Sequence, residues 1–152
     1  MAFRIRDDAR VWFKEIRDGG FSTDFDTYYF CFMAGIATGR KDLKPTASTT
    51  EFIDYFPDRY KSRGKVLVAL FLSQELKEMG VEMNEKKAVH STISPLIKPE
   101  SLNYLSEEGN KIFNGYAHGG FDVLLDWFDD KPRSLETFLR TYKKKIDDAL
   151  NK

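Results

Sequence analysis

Cysteine is nearly missing from this sequence, since 152 residues carry only Cys31. Counting alone excludes an internal disulfide and a multi-thiolate zinc centre, and it fits a reducing compartment. Histidine is almost as scarce: His90 and His118 occur without an HExxH or His-x-His spacing. Net charge is lacking too, with 24 Lys plus Arg against 24 Asp plus Glu. A uniformly basic coat for a polyanion is thereby excluded, and any such contact must rest on a local patch. No apolar run reaches the length of a membrane-crossing helix, and Arg4, Arg6, Asp7 and Asp8 interrupt the first residues before a signal-like core develops. The expectation is a cytoplasmic protein with no membrane contact and no cofactor.

What is present is a core. Hydrophobic residues make up 41% and aromatic residues 14%, with 13 Phe, so the apolar area sits in large side chains that bury much surface each. The length suits one domain, residues 1–152. Ala9, Trp12, Phe13 and Ile16 follow helical spacing, with Gly19-Gly20 as a stop. Ser22, Thr23 and Asp24 offer N-cap side chains for a helix carrying Phe25, Tyr28, Tyr29, Phe32, Met33 and Ile36. Few charges lie on its other face, so it is expected to be central and to end at Gly39.

Residues 41–50 are rich in Lys, Pro, Thr and Ser and read as a loop, the best candidate for a mobile segment. Residues 51–55 are expected to form a short helical turn before Pro57. A helix over 65–79 is dense in apolar residues and expected to be mostly interior, with Gly80 at its end. Asn84 is the expected cap of a weaker helix limited by Pro95. Ser106 then opens a long run from Ile112 to Phe128, with Gly119-Gly120 in its middle. Two such glycines cost roughly 2 kcal/mol in a helix interior. They imply either a break or, as favoured here, a neighbour packed too close for a Cβ. Ser134 caps an amphipathic terminal helix with Arg140, Lys143, Lys144 and Lys145 on or beside its outer face. Only Phe3-Arg4-Ile5 alternates like a strand, and it is too short to anchor a sheet alone. The expected fold class is all-α: a single compact domain of five to six helices around an aromatic-rich core.

Residues suited to chemistry are few. Asp122 and Asp126 share a helix face and, with His118, are the set from which a small metal-dependent nuclease would be built. A solvated acidic face is the simpler reading. For His118 the simpler reading is a partly exposed helix histidine beside packing glycines, and for His90 a surface histidine. Cys31 lies within an aromatic helix, where a thiol behaves as a small buried hydrophobe. The glycines match neither the P-loop nor the dinucleotide spacing.

Cations are more informative. Residues 40–65 hold seven positive and four negative side chains, and residues 131–152 hold seven and three. Neutrality is therefore a cancellation of patches. Arg40, Lys41, Arg59, Lys61, Arg63 and Lys65, with Tyr60 interleaved, suit a phosphate backbone and are the candidate DNA-binding residues.

The segment from Asp18-Gly19-Gly20-Phe21 through Gly39-Arg40-Lys41, followed by Tyr116-Ala117-His118-Gly119-Gly120, resembles the small Dnd-associated proteins. These are encoded beside bacterial DNA phosphorothioation genes, whose defence systems replace a backbone oxygen with sulfur and restrict unmarked DNA. The matching residues are Phe21, Thr23, Phe25, Gly35, Gly39, Arg40, Tyr116, Ala117, Gly119 and Gly120, within segments that cover about a quarter of the chain. The resemblance implies an accessory protein of an anti-phage system and carries no catalytic residue with it. The resulting expectation is a non-enzymatic protein that binds a partner protein, with DNA contact as a further expectation. The alternatives are the nuclease above and a structural module that forms a homo-oligomer through surplus Phe-rich surface.

Overall fold

The structure is a computed structural model that describes residues 2–17 and 23–151. The sequence-based stop at Gly19-Gly20, the capping role of Ser22 and the motif residue Phe21 lie outside the described residues. In chain order the elements are β1 (Phe3–Arg6), α1 (Asp7–Trp12), α2 (Lys14–Arg17), α3 (Asp24–Thr38), β2 (Thr49–Ile53), α4 (Gly64–Glu78), α5 (Lys86–Ile93), α6 (Glu107–Trp127) and α7 (Leu135–Leu150). Short 3-10 helices cover Asp58–Arg63, about two turns, and Ser94–Leu96, about one. The architecture is thus mostly α around one aromatic-rich core, as expected, and it carries in addition a small two-stranded antiparallel sheet.

That sheet pairs Arg4 with Glu51, Ile5 with Thr50 and Arg6 with Thr49. Residues 51–53 are therefore strand rather than the helical turn expected, and the loop after α3 ends at Ser48 rather than Thr50. Thr49, Thr50, Phe52 and Ile53 are β-branched or aromatic and fit a pleated, half-buried ribbon better than a helical turn. Arg4 and Glu51 form a 3.0 Å ion pair across the strands. The first expected helix is also divided. It forms two short pieces that meet at Phe13, whose carbonyl accepts from the N–H groups of Ile16 and Arg17.

The central helices follow their caps. Thr23 and Asp26 form a reciprocal capping box at the start of α3, and Gly39 closes it at φ 73°. Ser106 accepts from the Gly109 N–H and Ser134 from the Thr137 N–H, starting α6 and α7. Asn84 is not the α5 cap; that position falls to Glu85, whose side chain makes no capping bond. In α4 the dense apolar run is one-sided: Leu67, Val68 and Phe71 are buried while Val66 is 57% exposed, so the helix is not mostly interior.

Helices α3 and α6 cross without side chains between them. An ideal Cβ on Gly120 would lie 1.6 Å from the Cys31 carbonyl oxygen, and one on Gly35 would lie 2.1 Å from that of Tyr116. The glycine pair therefore marks close packing, and α6 runs unbroken through it. Around this crossing Phe32 stacks on Phe113 at 4.1 Å between ring centres. A second aromatic group joins Trp12, Phe13, Phe128 and Phe138, which fixes α1 and α7 on the same core. Such pairs add about 1 kcal/mol each beyond the area they bury.

Candidate functional site

The six cations singled out in the sequence do not form one patch. Arg40 follows the left-handed Gly39 and reaches Asp126 at 2.8 Å. Lys41 is held between Glu75 and Glu78 at 3.0 and 2.9 Å, with its ammonium 5.6 Å from the centre of the Tyr116 ring. These two carboxylates raise its pKa against the opposing effect of burial. Glu75 is itself buried and also accepts from the Tyr116 hydroxyl, whose pKa is pushed up by burial and then by that carboxylate. Lys41 therefore belongs to a structural network at the C-terminal end of α4, with its charge met by two carboxylates.

The other four cations sit at the opposite end of α4. Glu75 and Lys65 are ten residues apart on that helix, about 15 Å along its axis. Arg59 approaches Asp26 at 3.4 Å yet keeps a guanidinium side chain that is 65% exposed. Lys65 lies 5.7 Å from the centre of the Tyr104 ring. Lys61 and Arg63 are exposed and make no ion pair among the described residues. The segment Asp58–Arg63 and the first turn of α4 thus present a basic edge on which Lys61 and Arg63 carry no ion pair among the described residues.

Asp122 and Asp126 share a face of α6, as their spacing implies, but each meets a guanidinium. Asp122 pairs with Arg6 at 2.7 Å, and Arg6 also holds Asp8 and donates to the His118 carbonyl. No group of three or more His, Cys, Asp or Glu side chains suited to a metal ion occurs among the described residues. Cys31 is buried and its thiol pKa is pushed up by burial, as expected of a core thiol. His90 is on the surface. Among the motif residues Phe25 and Ala117 are buried, Thr23 caps α3, Gly39 closes it, and an ideal Cβ on Gly119 would lie 2.7 Å from the Arg40 carbonyl oxygen. Of the motif residues, Gly35 and Gly120 sit at the α3–α6 crossing, and none among the described residues lines the cleft beside His118.

His118 departs from expectation. It is buried rather than partly exposed, at 6%. Burial first, and then the charge of Arg6, pulls its pKa down to about 4, so the ring is neutral near pH 7. Its Nδ1 is sealed from water without a hydrogen-bond partner among the described residues, and none of those residues bonds Nε2 either. The imidazole lines the inner end of an open cleft of about 820 Å³ between α6, the β1–β2 ribbon and the 43–45 segment. Next to it Asn114 is largely spent: its amide oxygen accepts from the Arg4 N–H and the Tyr28 hydroxyl, and its amide nitrogen donates to the Ala2 carbonyl. The sequence carried a signal for this face, because Asn110, Asn114 and His118 recur every four residues and so share one face of α6.

Comparison with family models, with curated proteins and with solved structures found no match. No helix among the described residues is long and apolar enough to cross a membrane.

Proposed function

We propose that the chain is a non-enzymatic accessory protein of a bacterial DNA phosphorothioation-linked modification or restriction system. It binds a partner protein and contacts DNA through Arg59, Lys61, Arg63 and Lys65. One observation carries the DNA part: Lys61 and Arg63 stand exposed and without an acidic partner among the described residues, beside a third exposed cation on Arg59. Exposed lysine and arginine release counterions from a phosphate backbone, which gives affinity without base contacts. The defence context rests on the resemblance of the Gly39-Arg40 and Tyr116–Gly120 motifs. The nuclease alternative has against it that Asp122 and Asp126 are each occupied by an arginine. Self-association has against it that the exposed apolar side chains, among them Val11, Met83 and Leu150, are distributed over separate elements.

Filter binding of duplex DNA across a salt series tests the DNA contact. Binding at low ionic strength is expected to weaken steeply with salt. The double substitution Lys61→Glu and Arg63→Glu is expected to lower affinity at least about tenfold and to flatten the salt slope by about two. No binding at low salt, or a double variant that binds like the original, removes the DNA contact. The genomic neighbourhood tests the context, since phosphorothioation genes are expected beside the coding sequence.

A further inference from the structure

We infer that the cleft on α6 is a peptide-binding groove, taking an extended segment of about five residues with a basic side chain at the Glu107–Glu108 end. The groove shares no lining residue with the basic edge at Arg59–Lys65, so the two interactions stand or fall separately.

Its length follows from the helix that forms its floor. Glu107, Lys111, Asn114 and His118 all line the cleft, and their spacing of four, three and four places them on one face of α6. From Glu107 to His118 is about 16 Å of helix axis, the span of about five extended residues. The volume of about 820 Å³ falls within the range of sites that enclose a ligand of that size. Leu43 and Pro45 supply an apolar wall, and Leu43 is 42% exposed although large and hydrophobic.

Charge is sorted along the groove. Arg4 and Glu51 neutralise one another across the strands, and Arg4 also donates to the Thr49 hydroxyl and carbonyl. Glu107 and Glu108 make no ion pair among the described residues, and neither does Lys111. Two unpaired carboxylates against one ammonium leave the outer end acidic, which a basic side chain complements. At the inner end the neutral His118 ring has no hydrogen-bond partner among the described residues. A peptide brings one N–H and one C=O at each residue, so it can pair with Nε2, the ring nitrogen that is not sealed, in either tautomer. A simple anion would meet the acidic outer end, and a compact cation would leave the inner end unfilled.

Capped pentapeptides of alanine and leucine with an arginine at either end, and a matched set with glutamate in its place, are titrated into the isotopically labelled full chain and followed by NMR. At least one arginine peptide is expected to bind more tightly than about 1 mM. It should shift the His118 ring and Asn114 side-chain signals, while the glutamate set does not bind. Glu107→Gln with Glu108→Gln is expected to weaken binding about tenfold through loss of two exposed charges. Leu43→Glu, checked for an unchanged amide spectrum, should abolish it. If Leu43→Glu does not fold, the exposed Glu107 and Glu108 substitutions decide alone. Absence of binding by every arginine peptide, equal binding by the glutamate set, or shifts confined to residues outside the groove overturns the proposal.

Discussion

The two faces of α6 are built on opposite principles. Toward α3 it presents Gly119 and Gly120, and backbone meets backbone with no space for a methyl group. Toward β1 and the cleft it presents Asn110, Asn114 and His118, and hydrogen bonds do the joining: Asn110 and Asn114 both donate to the Ala2 carbonyl. At Gly119 and Gly120 the first face has no side chain to offer a ligand, and no room for one. The second is nearly satisfied, and what is left over is concentrated on one imidazole. A helix locked on one side by contact distance can hold polar groups in fixed positions on the other. Close backbone contact thus belongs to the glycine face and unused hydrogen-bonding capacity to the polar face.

The most direct way to break that contrast is to add one carbon to the glycine face. Gly120→Ala places its Cβ against the Cys31 carbonyl at a distance that no side-chain rotation relieves, so α3 and α6 must move apart. The expected loss is about 4 kcal/mol or more, which threatens the fold of a chain this size. Urea unfolding measures it. A loss below about 1 kcal/mol would mean that the crossing can open freely, and the division of labour between the faces would fail.

The polar face is sharpened by pH. In the unfolded chain His118 titrates near ~6.5, whereas burial and Arg6 hold it near about 4 in the folded protein. Between those values the unfolded state binds more protons. The contribution of this ring to stability is therefore complete above ~6.5, declines as pH falls toward about 4, and changes no further below that. Asp42 and Asp122 act in the opposite sense on the ring and limit the effect. An amplitude on the order of 2 kcal/mol is expected. Subtracting the unfolding free energies of His118→Gln from those of the original chain across this range isolates it. Parallel curves would show that the imidazole is free to take a proton in the folded state.

Helix limits were legible in the sequence at most positions where cap chemistry is local, Asn84 excepted. Thr23, Gly39, Gly80, Ser106 and Ser134 each act within one turn of their own position, and each stands at a helix end. The close α3–α6 crossing was legible for a related reason, since a glycine pair inside a strong helix needs a neighbour to justify its cost. Strand β2 was not, because its partner lies some 45 residues earlier and the pairing leaves no local mark beyond the β-branched and aromatic Thr49, Thr50, Phe52 and Ile53, which do not alternate with polar residues. The exposure of Val66 was missed because apolar density alone does not tell how many sides of a helix are covered. The ion pairs of Lys41 were not legible because its partners, Glu75 and Glu78, lie more than thirty residues away on α4.

The smallest effect tests whether space or conformation makes a glycine necessary. Gly80 follows α4 at φ 70°, and nothing lies within 4 Å of where its Cβ would stand. It is there for the turn: the Val81 N–H donates to the Leu76 carbonyl at 2.9 Å and the Gly80 N–H to that of Lys77 at 3.1 Å, a pairing that requires the left-handed backbone. Gly80→Ala meets no obstacle and incurs only the cost of a side chain in that conformation, about 1 kcal/mol. Thermal unfolding should therefore show a modest drop in Tm and a native spectrum. A loss as large as that of Gly120→Ala would mean that backbone conformation, rather than contact with α3, dominates the cost of replacing glycine in this fold.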